Sequence, residues 1–350
     1  MCIRDSPQPA RVLDHLGGDA LAGHRPELVL LAQALPGAVA LNPNDHHFPL
    51  GVRQLSLLVL LTLFWGLNWP VMKLGITGFP PLTFRTISMW LGLPVLFAAS
   101  LAMKTPLRIA RRDWPELGKL TVTNMVVWYV LAILSLQSLS SGRAAILGYT
   151  MPIFSALIGL ALYGQRLGMR QWSGVGAAAL GVVLLLWHEL GAVSGKPWAA
   201  LGMLTAAAAW ALGTQQLRRT KIAAPTLAII FWMTLLTTLV MSALAVLFER
   251  PRWVAPGASA WTGILYNAFL IIGFAQPIWL VLARNLPPMA SSLSVMLIPV
   301  LGTVSGALWL HEQLHWQDGA AMLLMLAAIG SVLVPARTSV RVQAPETGQG

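Results

Sequence analysis

Two cations stand where the chain otherwise allows almost no charge: Lys73 and Arg85 interrupt apolar runs long enough to be helices in hydrocarbon. Two explanations compete for each. A long basic side chain near a helix end can snorkel to lipid phosphates. A cation that no helix offers an acid can instead hold an anionic group of a solute, such as an amino-acid carboxylate. Every acid beyond residue 50 lies in a loop, at a helix end or in the tail: Asp113, Glu116, Glu189, Glu249, Glu312, Asp318 and Glu346. With no carboxylate at mid-membrane depth, facilitated diffusion or coupling through something other than an embedded acid is favoured.

Uncharged polar and aromatic residues form stripes at helical spacing. Thr121, Asn124, Trp128 and Ser135 share one face, since steps of three, four and seven return to the same side of a helix. Trp65, Asn68 and Trp69 do the same further upstream, followed by Tyr149 and Thr150, then Trp210, Thr214 and Gln215, then Tyr266, Asn267 and Gln276, then Ser291 and Ser294. Such residues can line a solute cavity or act as interhelical hydrogen-bond partners worth about 1 kcal/mol each. An intramembrane enzyme would need His-Glu-x-x-His, paired aspartates or a Ser with a His at depth, and none is present. His188, His311 and His315 fall at segment ends, and the lone Cys2 excludes an internal disulfide or a cysteine metal site. No cofactor or metal is expected.

These residues need a scaffold, and composition defines it. Of 350 residues 56% are hydrophobic and 10% charged, with mean hydropathy +0.69, far from the roughly 25% charged residues of a soluble domain. The net charge of +11 sits in short gaps between apolar runs, so it reads as a topology signal and not as a nucleic-acid footprint. Residues 1–51 differ: they hold five of the twelve acids and none of the fifteen Trp, and their apolar stretch is too short to span a bilayer. That segment reads as a non-native or disordered extension. His46 and His47 beside Asp45 read as linker.

Ten apolar segments follow, near 55–76, 80–103, 117–138, 143–163, 170–188, 198–217, 226–248, 259–283, 288–310 and 316–335. Each is about the length that crosses roughly 30 Å of hydrocarbon as a helix. If the first starts inside, fourteen loop cations fall inside: Arg53, five from Lys104 to Lys119, Arg166, Arg170, three from Arg218 to Lys221, Arg284, Arg337 and Arg341. Only Arg143, Lys196, Arg250 and Arg252 fall outside, so both termini are expected in the cytoplasm. Trp114, Trp172, Trp198, Trp253, Trp261 and Trp316 sit at segment ends as interfacial belt residues.

The chain also matches itself. A shift of 147 lays the segment from Arg143 on that from Ala290, with Pro152 on Pro299 and Gln165 on Glu312. A shift of 145 lays Trp65 on Trp210 and Lys73 on Arg218. Five helices per repeat is an odd number, so the second copy enters from the opposite side. This gives an all-α integral membrane protein of ten transmembrane helices as two inverted five-helix repeats, over 52–190 and 191–336, with 337–350 a flexible tail. In such folds a solute site lies near the midplane and the states exchange by rocking one half against the other. Pro152 and Pro299 are expected to shape their helices. The small-residue face Gly174, Ala178 and Gly181 suits close packing within the fold or in a homodimer.

The run FWGLNWPVMKLGI with TFR after it, the repeated small-residue, Pro, Gly and Glu/Gln pattern and the helix count resemble the EamA family of the drug/metabolite transporter superfamily over about Leu55 to Val334. Gln165 stands where that family usually has Glu, and His311-Glu312 where Gly-Glu is common. The resemblance implies an inner-membrane permease with a small-molecule substrate, the bilayer as its other partner, and a cavity lined mainly by the six striped helices. Trp65, Asn68, Trp69, Lys73, Arg85, Asn124, Trp128, Tyr149, Trp210, Thr214, Tyr266, Gln276 and Ser294 are then the candidate substrate contacts. It further implies export of a small amino-acid-like metabolite. A carrier of bulkier cargo (drug, nucleotide-sugar or lipid) and a non-transporting membrane protein remain the alternatives. The absence of a mid-membrane acid argues against the buried-Glu mechanism of the related small multidrug exporters. On this reading Lys73→Gln abolishes transport of anionic or zwitterionic cargo and leaves folding intact, as uptake assays on a well-folded variant would record.

Overall fold

The computed structural model describes residues 52–191, 196–279 and 288–333. The extension 1–51 and the tail 337–350 lie outside the described residues, and with them the expectations placed there. Apolar runs leave the backbone no partner but itself, and the described chain is helical with no strand. We number the helices α1 (Val52–Gly75), α2 (Pro81–Ala102), α3 (Arg111–Ser138), α4 (Ser141–Tyr163) and α5 (Met169–Gly191). The second set is α6 (Pro197–Leu217), α7 (Thr226–Glu249), α8 (Ala258–Trp279), α9 (Pro288–Leu310) and α10 (Trp316–Leu333). Among the described residues helix occupies each of the ten expected segments, and seven helices, α1 to α5, α7 and α8, are long and apolar enough to cross a bilayer, with Leu297–Leu310 a shorter apolar helix. The expectation of ten spans is thus met in part. α6 carries Thr205, Thr214, Gln215 and Gln216 among alanines, and α10 opens on Gln317 and Asp318, which lowers the hydropathy of both.

Three helices depart from regular winding. α3 over Thr121–Val126 and α8 over Tyr266–Ala275 are wound as π-helix, and the 145-residue shift carries Thr121 onto Tyr266. Equivalent points of the two repeats thus carry the same wide turn, a feature common at functional sites. α4 is broken into Ser141–Gly148 and Met151–Tyr163, because Pro152 has no amide to give the Gly148 carbonyl. It ends at Gly164, whose φ of 62° suits glycine. Pro299 acts differently, lying inside an α9 that runs on without a break.

The repeats are interleaved and not placed side by side. α3 packs on α6 and α7, and its counterpart α8 packs on α1 and α2; α4 packs on α6 and α9, while α9 packs on α1 and α4. α2 with α7 and α5 with α10 complete a pattern that exchanging the repeats leaves unchanged. A rigid rocking of one five-helix half against the other would act across all of these contacts. Close approach is set by glycine: a Cβ on Gly213 of α6 would fall 2.5 Å from the Asn124 Cα of α3.

Charged side chains of the second repeat close one end of the bundle. Glu249, fully buried at the C-terminus of α7, accepts from the Leu82 and Thr83 amides of α2 at 3.0 and 2.7 Å and from the Thr83 hydroxyl at 2.8 Å. Glu312, just past α9, accepts from the Ser141 amide and hydroxyl of α4 at 2.7 and 2.8 Å and from the Gly142 amide at 3.4 Å. Each places a carboxylate on the positive end of a helix dipole. Asp318 of α10 adds a buried ion pair to Arg143 of α4 at 2.6 Å. Because the C-termini of α7 and α9 meet the N-termini of α2 and α4, equivalent helices run in opposite directions, which is the inverted relation read from the repeat. Glu249→Gln is expected to remove about 1–3 kcal/mol and lower the melting temperature in detergent by several degrees, with Glu249→Asp intermediate.

Candidate functional site

The interior site is built around Arg85. It is the fifth residue of α2, and Gly92 two turns on lets α2 press against α8: a Cβ there would fall 2.7 Å from Ile272. This contact brings the guanidinium to the π-wound stretch of α8, where Nη1 donates to Asn267 Oδ1 at 2.8 Å. Asn267 is itself oriented by donating Nδ2 to the Gly263 carbonyl at 3.0 Å. Arg85 Nη2 donates to the thioether of Met72 on α1 at 2.7 Å, and the guanidinium carbon lies 5.0 Å from the centre of the Tyr129 ring on α3. Gln276 lies within reach of the Tyr129 hydroxyl. Arg85 is 5% exposed, its Nε has no partner, and no carboxylate among the described residues pairs with it. Asn68 precedes Met72 by one helical turn on the same face of α1, is 8% exposed, and has an unpartnered Oδ1.

A second polar group joins α3 to α6. Asn124 donates weakly to the Trp210 carbonyl at 3.4 Å and to the Thr214 hydroxyl at 3.3 Å, and Trp128 meets Trp210 edge to face at 5.1 Å. Gly148, where α4 breaks, is the floor under two indoles: a Cβ on it would fall 3.0 Å from Trp69 and 3.4 Å from Trp128. Tyr149 is buried at that break. Trp65 stacks at a tilt on Trp279 at 5.5 Å, and Tyr266 donates its hydroxyl to the Phe64 carbonyl at 2.8 Å. Gln215 donates to the Ser155 carbonyl and hydroxyl at 2.9 and 2.8 Å. Ser291 and Ser294 fall in a stretch of α9 whose side chains lie outside the described residues.

Lys73, expected as a cargo contact, is placed by the structure at the end of α3. Its Nζ donates to the carbonyls of Leu136, Gln137 and Leu139 at 2.8, 2.9 and 2.8 Å, capping the C-terminus of α3 with all three protons. The two intramembrane cations therefore separate: Lys73 ties α1 to the end of α3, and Arg85 faces the interior with donors to spare. Sequence reasoning missed Tyr129 altogether. Its signal was available, since it is one of only four Tyr and lies two turns beyond Thr121, but the neighbouring Trp128 had claimed the stripe. An open groove of about 420 Å³ between α2 and α7, lined by Phe79, Ile87, Val246 and Trp253, has mostly apolar walls and is distinct from this polar interior.

A fold of two inverted, interleaved helical repeats around a sparse polar interior is that of a multi-pass membrane transporter. The family model described as the EamA-like transporter family matches residues 53–187 and 197–334, and the chain belongs to that family. It is 24% identical over 266 residues to the uncharacterized transporter YoaV of Bacillus subtilis, covering 73% of this chain and 88% of that protein. It is 26% identical over 286 residues to a probable amino-acid metabolite efflux pump of Escherichia coli, covering 78% and 92%. The uncharacterized inner membrane transporter YedA of Escherichia coli is 25% identical over 295 residues, covering 81% and 93%. A solved crystal structure superposes with TM-score 0.59 at 22% identity, covering 81% of this chain and 99% of the other, which shows the shared fold.

Lys73→Gln is expected to lower the melting temperature by several degrees, from about 1–2 kcal/mol of lost capping. Because Lys73 donates to backbone and not into the interior, the variant keeps its discrimination among solutes, which ligand-induced thermal shifts would check.

Proposed function

We propose that the protein is a secondary transporter that exports a small, amino-acid-like metabolite across the inner membrane by alternating access, with both termini in the cytoplasm. The observation that carries the reading is the inverted, interleaved pair of repeats enclosing a buried cation that no carboxylate among the described residues meets. Inverted repeats supply two structurally equivalent closures, one on each side of the membrane, around a fixed midplane site. The amino-acid-like cargo draws support from the relative named a probable amino-acid metabolite efflux pump.

The packing suggests which parts move. Since α3 and α4 hold α6, while α8 and α9 hold α1, the units that tilt are mixed groups drawn from both repeats. Opening toward one side parts the Glu249, Glu312 and Asp318 ties. Opening toward the other parts the Thr123 to Gln216 bond at 2.9 Å and the Thr220 to Glu116 bond at 2.5 Å. Every carboxylate in these ties sits at a helix end, so the cycle needs no embedded acid to load and release a proton.

The test is counterflow of radiolabelled amino acids and neutral metabolites in proteoliposomes holding the full chain, with and without a pH gradient. Saturable amino-acid counterflow indifferent to the gradient is the expected result. Strict dependence on the gradient would overturn the proton-independent cycle, and silence across the panel would overturn amino-acid-like cargo.

A further inference from the structure

The unmet hydrogen-bonding capacity of the interior has a definite chemical shape. A guanidinium carries five N–H donors, and Arg85 gives one to the Asn267 amide oxygen and one to a thioether, a weak acceptor, while Nε gives its proton to nothing. A buried charge without a counter-ion is costly, and native proteins meet such a charge with an acid or a bound ligand. Three acids among the described residues are used elsewhere: buried Glu249 and partly buried Glu312 cap helices, and buried Asp318 pairs with Arg143. The free Nε and neighbouring Nη present the planar edge that binds a carboxylate through two parallel bonds. One turn along α1 from the Met72 contact, about 5.4 Å, the buried Asn68 Oδ1 is an acceptor with no donor.

We infer that Arg85 and Asn68 form a bipolar subsite for a zwitterionic amino acid, with the carboxylate on Arg85 and the ammonium group on Asn68. This deepens the transport reading and rests on it for the solute's entry. Asn267 and Tyr129 are positioning residues, one aligning the guanidinium by hydrogen bond and the other giving it a ring face. Trp69 and Trp128, packed on the α4 break, supply apolar wall for a side chain. A single cation suits one carboxylate and is too little for a phosphorylated solute.

The experiment is titration calorimetry of the detergent-solubilised full chain with L-phenylalanine, L-methionine and L-threonine. Each is compared with its carboxamide, which lacks the carboxylate, and its des-amino acid, which lacks the ammonium group. Counterflow of the same compounds is measured in parallel. The wild type is expected to bind at least one amino acid about ten- to a hundredfold more tightly than its carboxamide, the range for a hydrogen-bonded charge. Arg85→Gln should erase that preference, with Arg85→Lys keeping part of it. Asn68→Ala should erase the preference for the amino acid over the des-amino acid and retain that for the acid over the amide. If Arg85→Gln does not purify as a monodisperse protein, Arg85→Lys and Asn68→Ala carry the test.

Equal binding of acid and amide by the wild type, an unchanged preference in the variants, or no binding of any amino acid at millimolar concentration overturns the subsite. Selective binding without counterflow supports the subsite and overturns the transport reading. Indiscriminate counterflow does the reverse.

Discussion

Inside hydrocarbon a peptide group without a partner costs several kcal/mol, and a helix leaves four amides and four carbonyls unmet at its ends. The middle of each apolar run solves this alone by becoming helix. Its ends need something from elsewhere, and here the partners come from other helices and largely from the other repeat. Glu249 reaches the amides of α2, Glu312 those of α4, and Lys73 the carbonyls of α3. Ends that must be satisfied across the repeat boundary force the two repeats to interleave, with equivalent helices antiparallel. Buried Glu249 and the partly buried Glu312 and Lys73 are committed to that task at the rim, and Arg85 is not.

Arg85 gains its meaning from this allocation. Were a carboxylate left at depth, the guanidinium would be half of a structural ion pair. With Glu249, Glu312 and Asp318 engaged at the rim, its nearest company is an amide, a thioether and a phenol ring, all neutral. The π-wound stretches matter for the same reason. A wider turn lets residues leave the regular stripe, and Asn124 and Asn267 both lie in such turns, each contacting a helix of the opposite repeat.

Much of the fold was legible in the residues. Apolar length marked the segments, the 147- and 145-residue self-matches marked the repeats, and the odd helix count implied their inversion. Among the described residues α6, α9 and α10 are not confirmed as spans, and in α6 and α10 threonine, glutamine and aspartate lower the hydropathy of segments that are helical all the same. At the site, the sequence picked out Arg85 because a charge in an apolar run is conspicuous. It picked out Lys73 for the same reason and could not tell the two apart. Tyr129 went unnoticed because a tyrosine in an apolar helix carries no signal until something charged is set against its ring.

Sequence alone determined the helical class, the membrane setting, the repeat and the lack of acids in the middle of the apolar runs, because these depend on composition and periodicity, which are local and additive along the chain. Tertiary structure decided which cation is a cap and which keeps an unpartnered donor, how α2 and α8 bring Arg85 to Asn267, and that the helices of the two repeats alternate in space. Those outcomes depend on the direction in which a side chain leaves its helix and on which backbone ends lie within 3 Å of it. Directions and distances between segments far apart in the chain are fixed only when all the helices pack together.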